Sequence, residues 1–119
     1  MIFMSKNEKG IVKWKQVLDE TATVTRRDKP EPVGAVRAVQ PGRGKKSKGA
    51  IRIKSCIPHK DWLRSLHCEN AVQVAEAMAA EATKEGFLSW AGLKAWFTDH
   101  KTDMLSKYRI EFELIGKDA

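Results

Sequence analysis

Apolar and polar positions alternate with several different periods along this chain. Ile11, Trp14, Val17 and Leu18 fall at i, i+3, i+6 and i+7, which predicts a short amphipathic helix over residues 11–18. Thr21-Ala22-Thr23-Val24-Thr25-Arg26-Arg27 is β-branched and alternating, so it predicts a strand. Asp28-Lys29-Pro30-Glu31-Pro32 ends that strand, because proline lacks the amide donor and restricts the residue before it. Residues 33–39 predict a second strand. Residues 50–57 predict a third, with Ile51, Ile53 and Ile57 set against Arg52, Lys54 and Cys56. The segment between them, residues 40–49, is glycine-rich and basic, and it joins the two as a hairpin.

Helical spacing dominates the next third of the chain. Residues 61–66 fit one or two helical turns. Asn70 can cap a helix over residues 71–84 whose apolar face is Val72, Ala75, Met78, Ala79 and Ala82, with Gly86 as the left-handed stop. Ser89 can cap another, which would bury Leu93, Trp96 and Phe97. The clearest strand comes last: Tyr108, Ile110, Phe112 and Leu114 alternate with Arg109, Glu111 and Glu113. Strands, then helices, then a strand argue for a small α+β domain, and the hairpin argues against a βαβ sheet. The closing strand must pair with strands distant in sequence, so the sheet is expected to be curved or barrel-like. Residues 1–10 are polar and read as a disordered tail ahead of a single domain over residues 11–116.

Charge adds the first functional information. The 119 residues hold 22 Lys and Arg against 15 Asp and Glu, a net charge of +7. Arg37, Arg43, Lys45, Lys46, Lys48, Arg52, Lys54 and Lys60 all lie in a stretch without one acid. A concentrated basic block fits a polyanionic partner, nucleic acid being the commonest, and it also fits a solvated loop. Gly42-Arg43-Gly44-Lys45-Lys46-Ser47 is not a phosphate loop, because the glycine spacing is wrong and a strand follows it. No apolar run approaches the roughly 18 residues that span a bilayer. Cys56 and Cys68 form neither a disulfide framework nor a zinc site, and His59, His67 and His100 show no ligand spacing. The chain therefore reads as cytoplasmic, with no membrane partner, no metal and no cofactor.

Two features carry candidate chemistry. Thr23, Thr25 and Arg27 alternate and should share one strand face, with Arg26 and Val24 on the other. Two hydroxyls beside a guanidinium can recognise an amide, a phosphate or a base edge; an ordinary solvent-facing strand shows the same alternation. Glu85 ends a predicted helix, where the helix dipole disfavours a carboxylate, so its place is read as positional. Among the tryptophans, Trp96 falls on a core face, Trp90 can line a cleft, and Trp62 is ambiguous.

Five segments in order resemble the ASCH domain family, which has a PUA-like fold. They are Trp14-Lys15-Gln16-Val17-Leu18, the strand from Thr21 to Arg27, Val33-Gly34, Glu85-Gly86-Phe87 with the helix after it, and Tyr108 to Leu114. The pattern is nearest to the small amidohydrolases of that family that remove acetate from N4-acetylcytidine. In those a Lys, a Thr and a Glu act, with an Arg close by. The resemblance places the Thr on Thr25, the Glu on Glu85 and the Arg on Arg27. It places the Lys on Ala22 and the family's Gly on Glu20, both departures. A threonine hydroxyl without an adjacent base is a poor nucleophile. Lys13 and Lys15 are the nearby amines, and spacing places neither.

The resemblance therefore implies a PUA-like, ASCH-type curved β-barrel with flanking helices. It implies a module for RNA or a modified base or nucleoside. Thr23, Thr25, Arg27 and Glu85 would line a cleft, and Arg43, Lys45, Lys46 and Lys48, with Arg52 and Lys54 on the adjoining strand, would hold phosphates. The alternative is a hydrolase, acting on N4-acetylcytidine or on RNA, with Thr25, Glu85 and Arg27 catalytic in the same cleft. A further alternative is a protein-interaction module whose basic loop takes an acidic partner.

Overall fold

The computed structural model describes residues 1–118. The elements are α1 (Lys13–Leu18), β1 (Val24–Arg27), β2 (Val36–Val39), β3 (Gly49–Pro58), α2 (His59–Ser65), α3 (Ala71–Lys84), α4 (Trp90–Asp99), a 3-10 turn (Met104–Ser106) and β4 (Tyr108–Lys117). The strands form one antiparallel sheet in the order β1-β4-β3-β2, so the architecture is α+β. The long strands β3 and β4 pair at its centre. Register shifts at Ala50/Ile51 and Ile53/Ser55 bend β3. As the period-2 pattern required, the last strand pairs with two early ones, β1 and β3. No helix among the described residues is long and apolar enough to cross a membrane.

The core lies on one face of the sheet, where Ile51, Ile53, Ile110 and Phe112 pack against Val17 of α1, Ala22 and Val39. Phe3 completes it with 1% of its surface exposed. The expected disordered tail is thus corrected: residues 1–10 are bound to the domain. Ile2 bridges to Gln40 in parallel, and the Phe3 amide donates to the Gln40 carbonyl at 2.9 Å. On the far edge of the sheet, Arg27 Nη2 donates to the carbonyl of the same Ile2 at 2.5 Å. The four-stranded ladder is not closed, yet this segment touches both β2 and β1. The polar stretch from Ser5 to Gly10 misled here, because the apolar run Met1-Ile2-Phe3-Met4 ahead of it is too short to show a period.

The helix caps follow the sequence. Asn70 Oδ1 accepts from the Gln73 amide at 2.9 Å, and Ser89 Oγ from the Gly92 amide at 3.0 Å. A second correction concerns α3. Of its expected apolar face only Ala82 is buried; Met78 is half-buried, and Val72 is 65% exposed. Only the last turns of α3 dock, which fixes the position of Glu81 and Glu85 while the first turns project into solvent.

Candidate functional site

Cross-strand pairing sets Arg26 of β1 directly opposite Arg109 of β4, on the face away from the core. Two like charges in that relation repel. Glu81, from the last docked turn of α3, resolves the conflict. Its carboxylate accepts from Arg26 Nη2 at 2.7 Å, from Arg109 Nε at 2.5 Å and from Arg109 Nη2 at 3.1 Å. Arg26 also donates from Nη1 to Glu85 Oε1 at 2.8 Å and from Nε to His59 Nδ1 at 2.8 Å. The Trp62 ring lies against the guanidinium, 4.9 Å from its carbon. Each of the three guanidinium nitrogens of this buried arginine donates a hydrogen bond.

Protonation states follow from these contacts. Burial alone would raise the Glu81 carboxyl, but the Arg109 hydrogen bonds and the Arg26 charge outweigh it and hold the group below the ordinary carboxylate range. Burial, then the Arg26 charge, lowers His59 to about 4. His59 is therefore neutral at physiological pH, with Nδ1 as acceptor and the proton on Nε2.

Glu85 joins this network to α1. Its second oxygen, Oε2, accepts from Lys13 Nζ at 3.0 Å, and both side chains are buried. Burial pushes the Lys13 ammonium below the ordinary lysine range; the Glu85 charge opposes that and Arg27 adds to it. Glu85 is the C-cap residue of α3, followed by Gly86 at φ +89°. The turn is pinned where Gln16 Nε2 and Asn7 Nδ2 donate to the Gly86 carbonyl at 2.8 and 3.1 Å.

These groups face a cavity of about 400 Å³ between the β1 edge and α4. Lys13, Thr25, Arg26, Arg27 and Glu85 form its polar wall. Phe87, Leu93, Trp96 and Phe97 form its apolar wall. Thr25 Oγ1 accepts from Arg27 Nε at 3.2 Å, which leaves the hydroxyl proton free to donate. The arrangement combines a positioned hydroxyl, a buried amine and a carboxylate with aromatic surface: a polar anchor and a stacking wall in one compartment.

Thr25, Arg27 and Glu85 thus converge. Thr23 does not. Its amide donates to the Lys84 carbonyl at 2.8 Å, which holds the residue ahead of the ladder, and it lines a separate hollow with Lys54 and Glu111. Ala22, where the resemblance sets a lysine, is buried in the core and does not line this cavity. The amine that does line it beside Glu85 is Lys13, at the start of α1. Trp96 packs, as expected, against a second core of Ala82, Phe87, Leu93, Phe97 and Met104, and it also lines the cavity; Trp62 is buried against Arg26. The loop residues Arg43, Lys45, Lys46 and Lys48 are exposed and do not line the cavity. Arg52 pairs with Glu113 across the sheet at 3.5 Å.

The sequence reading missed Arg26, Glu81 and His59. The signal was present: Arg26 shares its strand face with buried Val24, and Glu81 follows Ala75 and Met78 at helical spacing. Opposite charges on two inward faces imply a buried pair.

No family model and no curated protein matches the chain. Among solved structures, the chain is similar to protein EF3133 of Enterococcus faecalis V583, from the family designated DUF984. The two are 14% identical with a TM-score of 0.51, over 99% of this chain and 81% of that one, a likeness of fold.

Proposed function

We propose that this chain is an ASCH-type, PUA-like module that takes an unpaired nucleobase or nucleoside, free or within RNA, into the cavity at the β1 edge. The observation that carries the reading is the convergence of Thr25, Arg27 and Glu85 from distant segments on one compartment with an aromatic wall. A base would stack on Trp96 and Phe97 and present its polar edge to Thr25 and Glu85. The N-terminal segment, spanning from β2 to β1, supports the barrel-like architecture of such modules. Equilibrium binding of N4-acetylcytidine, cytidine and short single-stranded RNA tests it. Binding should occur and should weaken at least tenfold in Thr25→Val and Trp96→Ala. Ligands that bind both variants as well as the parent overturn the reading.

A second reading, hydrolysis of an amide on that base, is favoured by the position of Lys13. A buried amine with lowered basicity is suited to accept a proton. Thr25 Oγ would attack the acyl carbon while Lys13 Nζ takes the hydroxyl proton and passes it to the departing exocyclic amine. Water would then cleave the acyl-threonine, releasing carboxylate. Conversion of N4-acetylcytidine to cytidine and acetate, lost in Lys13→Met and Thr25→Val, is the expected result. Absence of conversion by the parent protein under conditions where the nucleoside binds excludes it.

A further inference from the structure

The cavity is electrostatically incomplete. Lys13, Arg26, Arg27 and Lys107 line it, against the carboxylates of Asp28 and Glu85 only. Behind that wall, Glu81 and Glu111 both contact Arg109, and Glu81 also serves Arg26. Counting this second layer leaves the neighbourhood positive by one charge. The surplus can be located. Lys13 is paired with Glu85, Lys107 with Asp28, and Arg26 with Glu81 and Glu85. Arg27 alone among the lining cations has no carboxylate partner within the described residues.

The position of Arg27 is nonetheless fixed. Nε is held on Thr25 Oγ1 and Nη2 on the Ile2 carbonyl, and the guanidinium carbon lies 5.0 Å from the Phe3 ring centroid. Nη1 makes no hydrogen bond among the described residues, and the side chain lines the cavity. Burial pulls this arginine below its usual range, with only the more distant charges of Glu85 and Glu31 opposing. Arg27 is partly buried and its free donor opens to the cavity, so an immobilised guanidinium without a carboxylate partner offers a site to an anion. Its planar fork suits phosphate oxygens, and a phosphate monoester carries about −1.5 to −2 near neutrality, enough to offset the surplus.

We infer that Arg27 is an anion subsite and that the ligand of this cavity is a nucleotide bearing a terminal phosphate monoester rather than a neutral nucleoside. The inference rests on the base-binding reading above. The phosphate would sit on Arg27 at the mouth formed with the N-terminal segment, and the base would reach inward to the aromatic wall. Arg27 therefore discriminates by charge, Thr25 and Glu85 by hydrogen bonding.

Calorimetric titration of the full chain with four probes tests this: cytidine, N4-acetylcytidine, and the 5′-monophosphate of each. Inorganic phosphate at constant ionic strength is a fifth. The nucleotides should bind at least tenfold tighter than their nucleosides, and Arg27→Gln should close that ratio, read as nucleotide against nucleoside affinity within the same variant. Arg27→Lys, which keeps the charge without the fork, should narrow the gap and serves also if the glutamine variant does not fold. Equal affinity for nucleotide and nucleoside overturns the subsite and leaves base binding standing. A gap unchanged in both variants overturns the assignment to Arg27. Phosphate binding that depends on Arg27, with none of the nucleosides or nucleotides bound, supports the subsite and removes the base reading. No binding of any probe removes both.

Discussion

One carboxylate, Glu81, holds two buried arginines that would otherwise face each other across a strand pair. Replacing it with glutamine keeps the shape but removes the charge the two cations share, leaving Glu85 to Arg26 and the half-buried Glu111 to Arg109. Breaking such a buried pair costs about 3–5 kcal/mol. Glu81→Gln should therefore lower the thermal midpoint by roughly 10 °C or more, as read by circular dichroism. His59 adds a pH dependence of definite sign. Its folded value of about 4 lies below that of an exposed histidine, near 6.5. The stabilisation is complete above pH 6.5 and is lost as pH falls toward 4, because the unfolded chain takes up a proton that the folded chain refuses. Between pH 7 and pH 5 the loss is about 2 kcal/mol. Unfolding curves across that range should show it, and His59→Gln, which retains an acceptor for Arg26 Nε, should flatten it. At this scale the sequence was half legible. Thr25, Arg27 and Glu85 were named from alternation and from a carboxylate placed against the helix dipole. Lys13 was named only beside Lys15 as an amine without a place, because no local spacing carries the distance from residue 13 to residue 85.

The turn after α3 is the element that aims Glu85 into the site. Gly86 has φ +89°, and a Cβ there would lie 2.3 Å from Gln16 Oε1. Gly86→Ala combines backbone strain with a clash, and should cost roughly 2 kcal/mol or more. The two parts separate in a double-mutant cycle. Gln16→Ala added to Gly86→Ala removes the clash and leaves the strain, so the double variant should be less unstable than the two single losses summed. Strict additivity in chemical denaturation would show that the clash is relieved by other means. This turn was legible as Glu-Gly-Phe, since a glycine after a periodic helix is a local signal. The burial of α3 was not. Periodicity reports which side of a helix is apolar, whereas the length of helix that finds a partner depends on the rest of the fold. Here the first turns of α3 have none, and Val72 stays exposed.

Across the whole molecule, two regions, one buried and one exposed, support the proposed role. The N-terminal segment inserts Phe3 into the core and bonds to both β2 and β1, so Phe3→Ala should cost about 3–5 kcal/mol and weaken ligand binding through Arg27. The loop between β2 and β3 is instead solvent-facing, and Arg43, Lys45, Lys46 and Lys48 have no carboxylate within salt-bridge distance among the described residues. Four unpaired cations on one tip form an electrostatic surface separate from the cavity. If RNA is the polymer whose base enters the cavity, each phosphate contacted by the loop releases counterions. The logarithm of affinity then falls with the logarithm of salt concentration by about 0.7 per contact on a single strand. Changing all four residues to glutamine should reduce that slope by roughly 3 for single-stranded RNA and leave mononucleotide affinity unaltered, because the loop does not line the cavity. A slope unchanged by the substitutions would assign the loop no part in polymer binding. A parallel loss of mononucleotide affinity would mean that loop and cavity act as one site, against their separation in the structure. Net charge alone could not distinguish these cases: the basic block was visible in the sequence, but its distance from the cavity is a property of the folded sheet.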